Sequence, residues 1–316
     1  MQNQLQATVP YEDEIDLREL LSALWLGRRL ILCVTAVFTV VAIIYALSIP
    51  NQYKASAVLA PAQQDSGGLS AALGQLGGLA SLAGISLGDG NSSEARIAQE
   101  VMQSRSFIEQ FIKQSGISVE IMAAEGWDAS ADGLLIDKDI YNSERRQWTR
   151  NPPQGREAEP SLWEVYEVFS EMLAVAEDKK SSLVTLSIEY FSPYLAKQWV
   201  DNYILAVNLY LQQRKLTRID KNIQYLQEQI EITSVAEMRQ IFFTLIEEQV
   251  KSKMLVEASP EYAFITVSEA MVPEERSTPK RKLIVVLGAL LGLMLSILLA
   301  LLKFYWFNDN TDLIKH

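Results

Sequence analysis

Histidine and cysteine are almost missing from this chain of 316 residues, with His316 at the last position and Cys33 inside an apolar run as the only ones. Everything between them therefore lacks a Ser/His or Cys/His nucleophile pair, a His or Cys metal site and an intrachain disulfide. No glycine is followed by lysine, which removes the G-x-x-x-x-G-K-[ST] phosphate loop. Basic residues are the minority, 28 against 39 acidic for a net charge of −11, which speaks against holding nucleic acid by bulk charge. Carboxylate pairs for glycoside cleavage are not removed by any count, but ordinary solvated surface charge accounts for them. The expectation is a chain that is not an enzyme and needs no cofactor or metal.

Charge is also absent from two apolar runs, residues 30–49 and 283–302. A bilayer core of roughly 30 Å needs about 20 helical residues at 1.5 Å rise, and each run meets that length. Five acidic residues, Glu12, Asp13, Glu14, Asp16 and Glu19, precede the first run, which is too long for the apolar part of a signal peptide and is expected to stay as an anchor. The expected layout is a tail over 1–29, a first span over 30–49, a loop over 50–282, a second span over 283–302 and a tail over 303–316. With only 14 residues in that last tail, no cytoplasmic catalytic domain is expected after the second span.

Orientation carries a conflict. Arg18, Arg28 and Arg29 before the first span read as cytoplasmic, whereas Arg276, Lys280, Arg281 and Lys282 before the second argue the opposite. A third span at 69–88 would reconcile them, but five glycines, Gln75 and three serines argue against a helix there. Long loops translocate largely regardless of charge, so both tails are expected inside and the loop outside.

The loop opens with a strand at 53–59 that ends at Pro61. The stretch 66–91 holds eight glycines and one charge, Asp89, and reads as a flexible linker or as an adaptable apolar contact surface. An amphipathic helix is expected over 93–114 with Gly116 as its stop, then a short strand over 117–122. Residues 123–160 read as irregular loop, with Asp132-Gly133, Asn151-Pro152-Pro153, Gly155 and Pro160 as turn signals. Within it Arg145, Arg146, Trp148 and Arg150 have the chemistry to grip a sugar ring or phosphate, a polymer contact, although a solvated loop accounts for them without any ligand. A helix over 161–176 starts at Ser161 with Glu164 three residues on, and 183–190 alternates as a strand with one buried face.

Between Pro193 and Pro260 glycine and proline disappear for 66 residues. Fully helical, that length would reach about 99 Å. Leu216, Ile219, Ile223, Leu226 and Ile230 are spaced 3, 4, 3, 4, the seam of a coiled coil. A new frame, Val235, Met238, Phe242 and Leu245, follows Ser234 and Glu237 in capping-box spacing. The reading is an outgoing helix to about Ile232, a reversal near Thr233, a return helix to about Ala258 and a returning strand over 262–270. The base with its glycine-rich loop is 50–192, the arm is 193–260, and 261–282 is a return strand and proline-containing segment. Such a thin pair cannot bury Trp199, Tyr203, Tyr210, Tyr225, Phe242 and Phe243 alone, which argues for self-association. Gly288 and Gly292 give the second span a G-x-x-x-G face for close helix approach.

These residues resemble a family. Asp13-Glu14-Ile15-Asp16-Leu17 before the first span, with Tyr53-Lys54-Ala55 after it, is similar to the N-terminal module of the Wzz-type chain-length determinants, the polysaccharide co-polymerases. The resemblance continues through Ser192-Pro193, Trp199-Val200-Asp201, Leu245-Ile246-Glu247-Glu248-Gln249, Glu261-Tyr262-Ala263-Phe264, Pro273-Glu274 and Pro279-Lys280-Arg281. It implies an α+β fold with two transmembrane helices, a membrane-proximal α/β base and a long periplasmic helical arm built as a coiled-coil-like hairpin. It implies a two-pass protein of a Gram-negative inner membrane, assembled as a ring, with a membrane polysaccharide polymerase and lipid-linked polysaccharide as partners besides the bilayer. The implied function is control of O-antigen chain length; a capsule-export scaffold working with a separate tyrosine kinase is the alternative. Leu216, Ile219, Ile223, Leu226, Ile230, Phe242 and Leu245 would fix arm packing, and Pro273, Pro279, Gly288 and Gly292 would shape the lead-in and packing of the second span.

Overall fold

The computed structural model describes residues 24–62 and 90–312, with side chains through Lys303. The possible third span at 69–88, and nearly all of the glycine-rich stretch, lie outside the described residues. The chain divides into two compact units, one running to Pro50 and resuming at Thr278, the other covering Asn51–Ser277.

The first unit contains α1 (Arg28–Ser48) and the final helix of the chain, Arg281–Asp312, of which Arg281–Lys303 is apolar enough to span a bilayer. A core helix of a soluble protein would bury its apolar side chains. Here Ile44 is 63% exposed, Leu291 63% and Met294 69%, the surface that lipid would cover. The helices meet through small residues. Ala46, Ser296 and Ala300 are buried, and the hydroxyls of Thr35 and Ser296 lie 3.3 Å apart.

The second unit is built on an antiparallel sheet of order β6-β7-β1-β8, made of β1 (Tyr53–Pro61), β6 (Leu173–Asp178), β7 (Leu183–Tyr190) and β8 (Phe264–Ser268). Register runs from Tyr53 opposite Tyr190 to Leu59 opposite Val184, and a bulge between Val58 and Leu59 separates the two halves of the β1–β8 pairing. Val184, Leu186, Ile188 and Tyr190 are all buried, the inward half of the two-residue alternation. Against this face pack α3 (Arg105–Ser115), α5 (Leu162–Met172) and the first half of α6 (Pro193–Ile232). Phe107, Phe111, Phe169, Trp199 and Tyr203 form an aromatic core with ring centroids 4.8 to 6.2 Å apart. Burying each contributes roughly 1.5–3 kcal/mol, with up to about 1.5 kcal/mol more per edge-on pair.

Several local expectations are corrected. The helix expected over 93–114 is two, α2 (Gly90–Gln103) and α3, broken where the Ser104 hydroxyl accepts from Phe107 N and starts a new helix. Gly116 does end α3, in the left-handed conformation at φ 66°. Residues 117–122 are not a strand: Ser118–Ala123 is a short helix, α4, that buries Ile121 and Ala123. The stretch 123–160 is not wholly irregular. It holds two hairpins, β2 (Ala124–Asp128) with β3 (Gly133–Ile136), and β4 (Tyr141–Asn142) with β5 (Gln147–Trp148). The Ser161 helix stops at Met172, because Leu173–Asp178 pairs with β7 instead. The returning strand is shorter than 262–270.

Candidate functional site

The arm begins inside the base. Ala196, Trp199, Val200, Tyr203, Ile204 and Val207 bury themselves in the core, so the first four turns of α6 are base rather than arm, and Trp199 and Tyr203 are not surplus arm aromatics. Asn208 closes this part. Its Oδ1 accepts from the Ala263 and Phe264 amides at 2.8 and 2.9 Å and its Nδ2 donates to the Phe264 carbonyl at 3.0 Å, locking β8 onto α6. One turn further, Gln212 Nε2 donates to the carbonyls of Val256 and Ser259 at the foot of α7 (Ala236–Glu257). These two amides fix where the arm leaves the base.

Beyond them α6 and α7 pair alone. Ile219 is 2% exposed and packs with Val256 and Tyr262, while Leu216, Ile223, Leu226 and Ile230 are half-buried. On α7 Phe242, Ile246, Gln249, Lys253 and Val256, spaced 4, 3, 4, 3, are half-buried or buried, with Ser252 half-buried beside them. Leu245 is displaced from the expected seam, at 38% exposure, because the inward frame runs through Ile246. The start of α7 is also corrected: Val235 holds the N-cap position without a side-chain bond, and the Arg239 guanidinium reaches back to the Thr233 carbonyl at 2.9 Å. Tyr225 and Phe243 stay exposed, at 59% and 54%.

In the first unit Gly288 and Gly292 face α1. A Cβ at Gly292 would lie 2.6 Å from Phe38 Cβ, and one at Gly288 would collide with Ala42 Cβ. Both positions therefore need glycine for the observed approach. Pro273 and Pro279 are half-buried.

The basic cluster of the loop does not act as one surface. Arg150 donates to both oxygens of Glu164 at 3.1 and 3.0 Å and to the Ala158 carbonyl at 2.7 Å, so its guanidinium is committed inside the protein. Arg156 and the Ser161 amide complete the partners of Glu164. The Arg150 hydrogen bonds, followed by that of the Ser161 backbone, hold this carboxyl down at about 2. Trp148 rests edge-on against Tyr141 at 5.0 Å, and Arg145 and Arg146 occupy the exposed turn of the β4–β5 hairpin. Burial pushes the phenols of Tyr190 and Tyr203 up, so both stay neutral donors, to the Glu120 and Met102 carbonyls. Among the described residues no group of three or more His, Cys, Asp or Glu side chains is placed to hold a metal ion.

Sequence reasoning missed Asn208, Gln212 and the cations Arg214, Arg218 and Lys221. The amides gave no signal, since a polar residue inside a long helix is ordinary. The cations did recur at intervals of four and three, a face of the same helix the apolar seam had claimed.

A comparison with protein families matches residues 13–115 to Wzz, the chain length determinant protein, and residues 226–305 to GNVR, "G-rich domain on putative tyrosine kinase". The chain carries a Wzz chain-length-determinant domain and a GNVR domain. The Wzz match takes in α1, β1 and the helices to the end of α3; the GNVR match takes in the tip of α6, all of α7, β8 and the second span. Between them, residues 116–225 carry the hairpins, β6, β7 and the core half of α6. The chain is also similar to two solved structures. One, a full-length bacterial polysaccharide co-polymerase, is 16% identical and covers 94% of this chain and 99% of its own, with a TM-score of 0.38. The other, a fragment of WzzB, a polysaccharide co-polymerase from Salmonella Typhimurium, is 11% identical and covers 72% of this chain and 100% of its own, with a TM-score of 0.30. No curated protein matches the chain.

Proposed function

We propose that the protein is a non-catalytic regulator of O-antigen polysaccharide chain length. It works as a homo-oligomeric ring in a Gram-negative inner membrane, alongside a membrane polymerase and its lipid-linked polymer, with both tails cytoplasmic and the main domain periplasmic. The observation that carries this reading is the Wzz match over residues 13–115 in a chain with apolar helices near both ends. Exposed apolar side chains on the arm, including Tyr225, Phe243 and Met254, support contact with further copies. The mechanism is physical: the assembly holds the polymerase or growing chain, and the lifetime of that contact sets when extension stops. The arm seam and the glycine face of the second span set the geometry of the assembly.

A second reading has its own support in the GNVR match, whose description refers to tyrosine kinases. On that reading the chain is a scaffold for capsule export that works with a separate kinase. The two are separated by the length distribution of surface polysaccharide in a deletion strain and its complement. A modal cluster that collapses to a random ladder and returns on complementation supports length control. An unchanged ladder with capsule lost supports export, and no change in either overturns both.

A further inference from the structure

One face of α6 carries cations that no described residue neutralises. Arg214, Arg218 and Lys221 are spaced four and three apart, which puts them on one side of the helix. None makes a hydrogen bond or ion pair with a described residue, and the adjacent Asp220 is taken by Lys253 at 2.7 Å. All three border an open groove of about 1040 Å³ between α6 and the C-terminal half of α3. No aspartate or glutamate lines it, in a chain where acids outnumber bases 39 to 28. The remaining lining is chemically mixed. Gln110 and Gln114 on α3 and Asn202 and Asn222 on α6 add side-chain amides to its lining, while Leu205 and Leu209 leave 60% and 59% of their surface open.

We propose that this groove binds a short stretch of acidic glycan, its sugars bearing carboxylates or phosphates. Guanidinium groups meet such anions in bidentate fashion. Cations alone would suit any polyanion, but side-chain amides pair donor and acceptor as neighbouring sugar hydroxyls do, and the two leucines offer apolar surface to the C–H face of a sugar ring. An acidic segment of a second copy would use the same cations, and the oligomer size of the variant below separates that occupant from a glycan. The proposal rests on the polysaccharide reading above, which brings such a polymer to the protein.

The test uses the full chain in nanodiscs, titrated calorimetrically with short oligogalacturonates and with maltooligosaccharides of equal length. The acidic oligomer binds, the neutral one does not, added salt weakens binding, and R214Q/R218Q weakens it roughly tenfold or more. No binding to the wild type, equal binding of the neutral oligomer, or affinity unchanged in R214Q/R218Q overturns the proposal. So does a change of oligomer size in that variant, which makes the groove an interface between copies. The ladder of the deletion strain is scored separately: failed titration with a ladder that still depends on the protein removes the groove alone, whereas an unchanged ladder removes the functional reading.

Discussion

Single residues fasten this base where its sheet and helices do not. Glu164 is 8% exposed and ties the segment carrying Arg150 and Arg156 to the start of α5, with the Ser161 amide and hydroxyl as further donors. Removing it leaves the half-buried Arg150 guanidinium unpaired, so Glu164→Ala is expected to cost about 3 kcal/mol, measured by denaturant unfolding. The pH dependence has a definite sign. The folded carboxyl sits below its ordinary value, so its contribution is complete above about 4.5 and is lost as pH falls towards about 2. The wild type should therefore lose stability over that window more steeply than Glu164→Gln; equal slopes would refute the assignment. Asn208 gives the parallel case without charge. Asn208→Ala strands one buried and one part-buried amide and a buried carbonyl, for an expected loss of about 2–3 kcal/mol, and faster hydrogen exchange at Ala263 and Phe264 would locate it.

At the scale of elements, the sequence was legible wherever one periodicity or one cap decided the outcome. The glycine- and proline-free run after Pro193 marked α6, the Ser161 and Glu164 box started α5, Gly116 stopped α3, and the alternation of Val184 through Tyr190 made β7. It was illegible where tertiary pairing overrode local preference. Leu173 to Ala176 reads as a continuing helix until β7 is present to pair with it. The α7 frame failed for a related reason: Leu245 and Ile246 are equivalent locally, and only the partner helix selects the second. Burial now grades the seam. Ile219, at 2% exposure, should cost about 3 kcal/mol as Ile219→Ala, and the half-buried Ile223 less. Ile223→Asp should nonetheless part the two helices and shrink the assembly, since a charge then faces the pair. Unchanged mass by light scattering in detergent would refute that. The span pair offers a cleaner geometric test. With Cys33→Ser removing the native thiol, Thr35→Cys with Ser296→Cys should cross-link, because the native hydroxyls are 3.3 Å apart. Adding Gly292→Leu forces atoms into Phe38, an overpacking cost of about 1–3 kcal/mol, and should abolish the cross-link.

For the whole molecule, the division into apolar ends and a polar middle was the strongest signal in the sequence, while the basic groove was hidden, because its cations share a helix with the seam and are joined to α3 only by folding. The charge rules left orientation unresolved, with Arg28 and Arg29 opposed by Lys280, Arg281 and Lys282. If the first span dominates and two spans are all there are, everything from Asn51 to Ser277 shares one side of the membrane. Gln154 is exposed on a loop of that segment, and Cys33 lies within the first span, so a cysteine at 154 in a Cys33→Ser background is a single reporter. It should react with a membrane-impermeant maleimide in intact spheroplasts as fully as after lysis. Protection until lysis would put the loop in the cytoplasm, reverse the reading of the basic residues before the second span, and with it withdraw the periplasmic polymer as the partner of this fold.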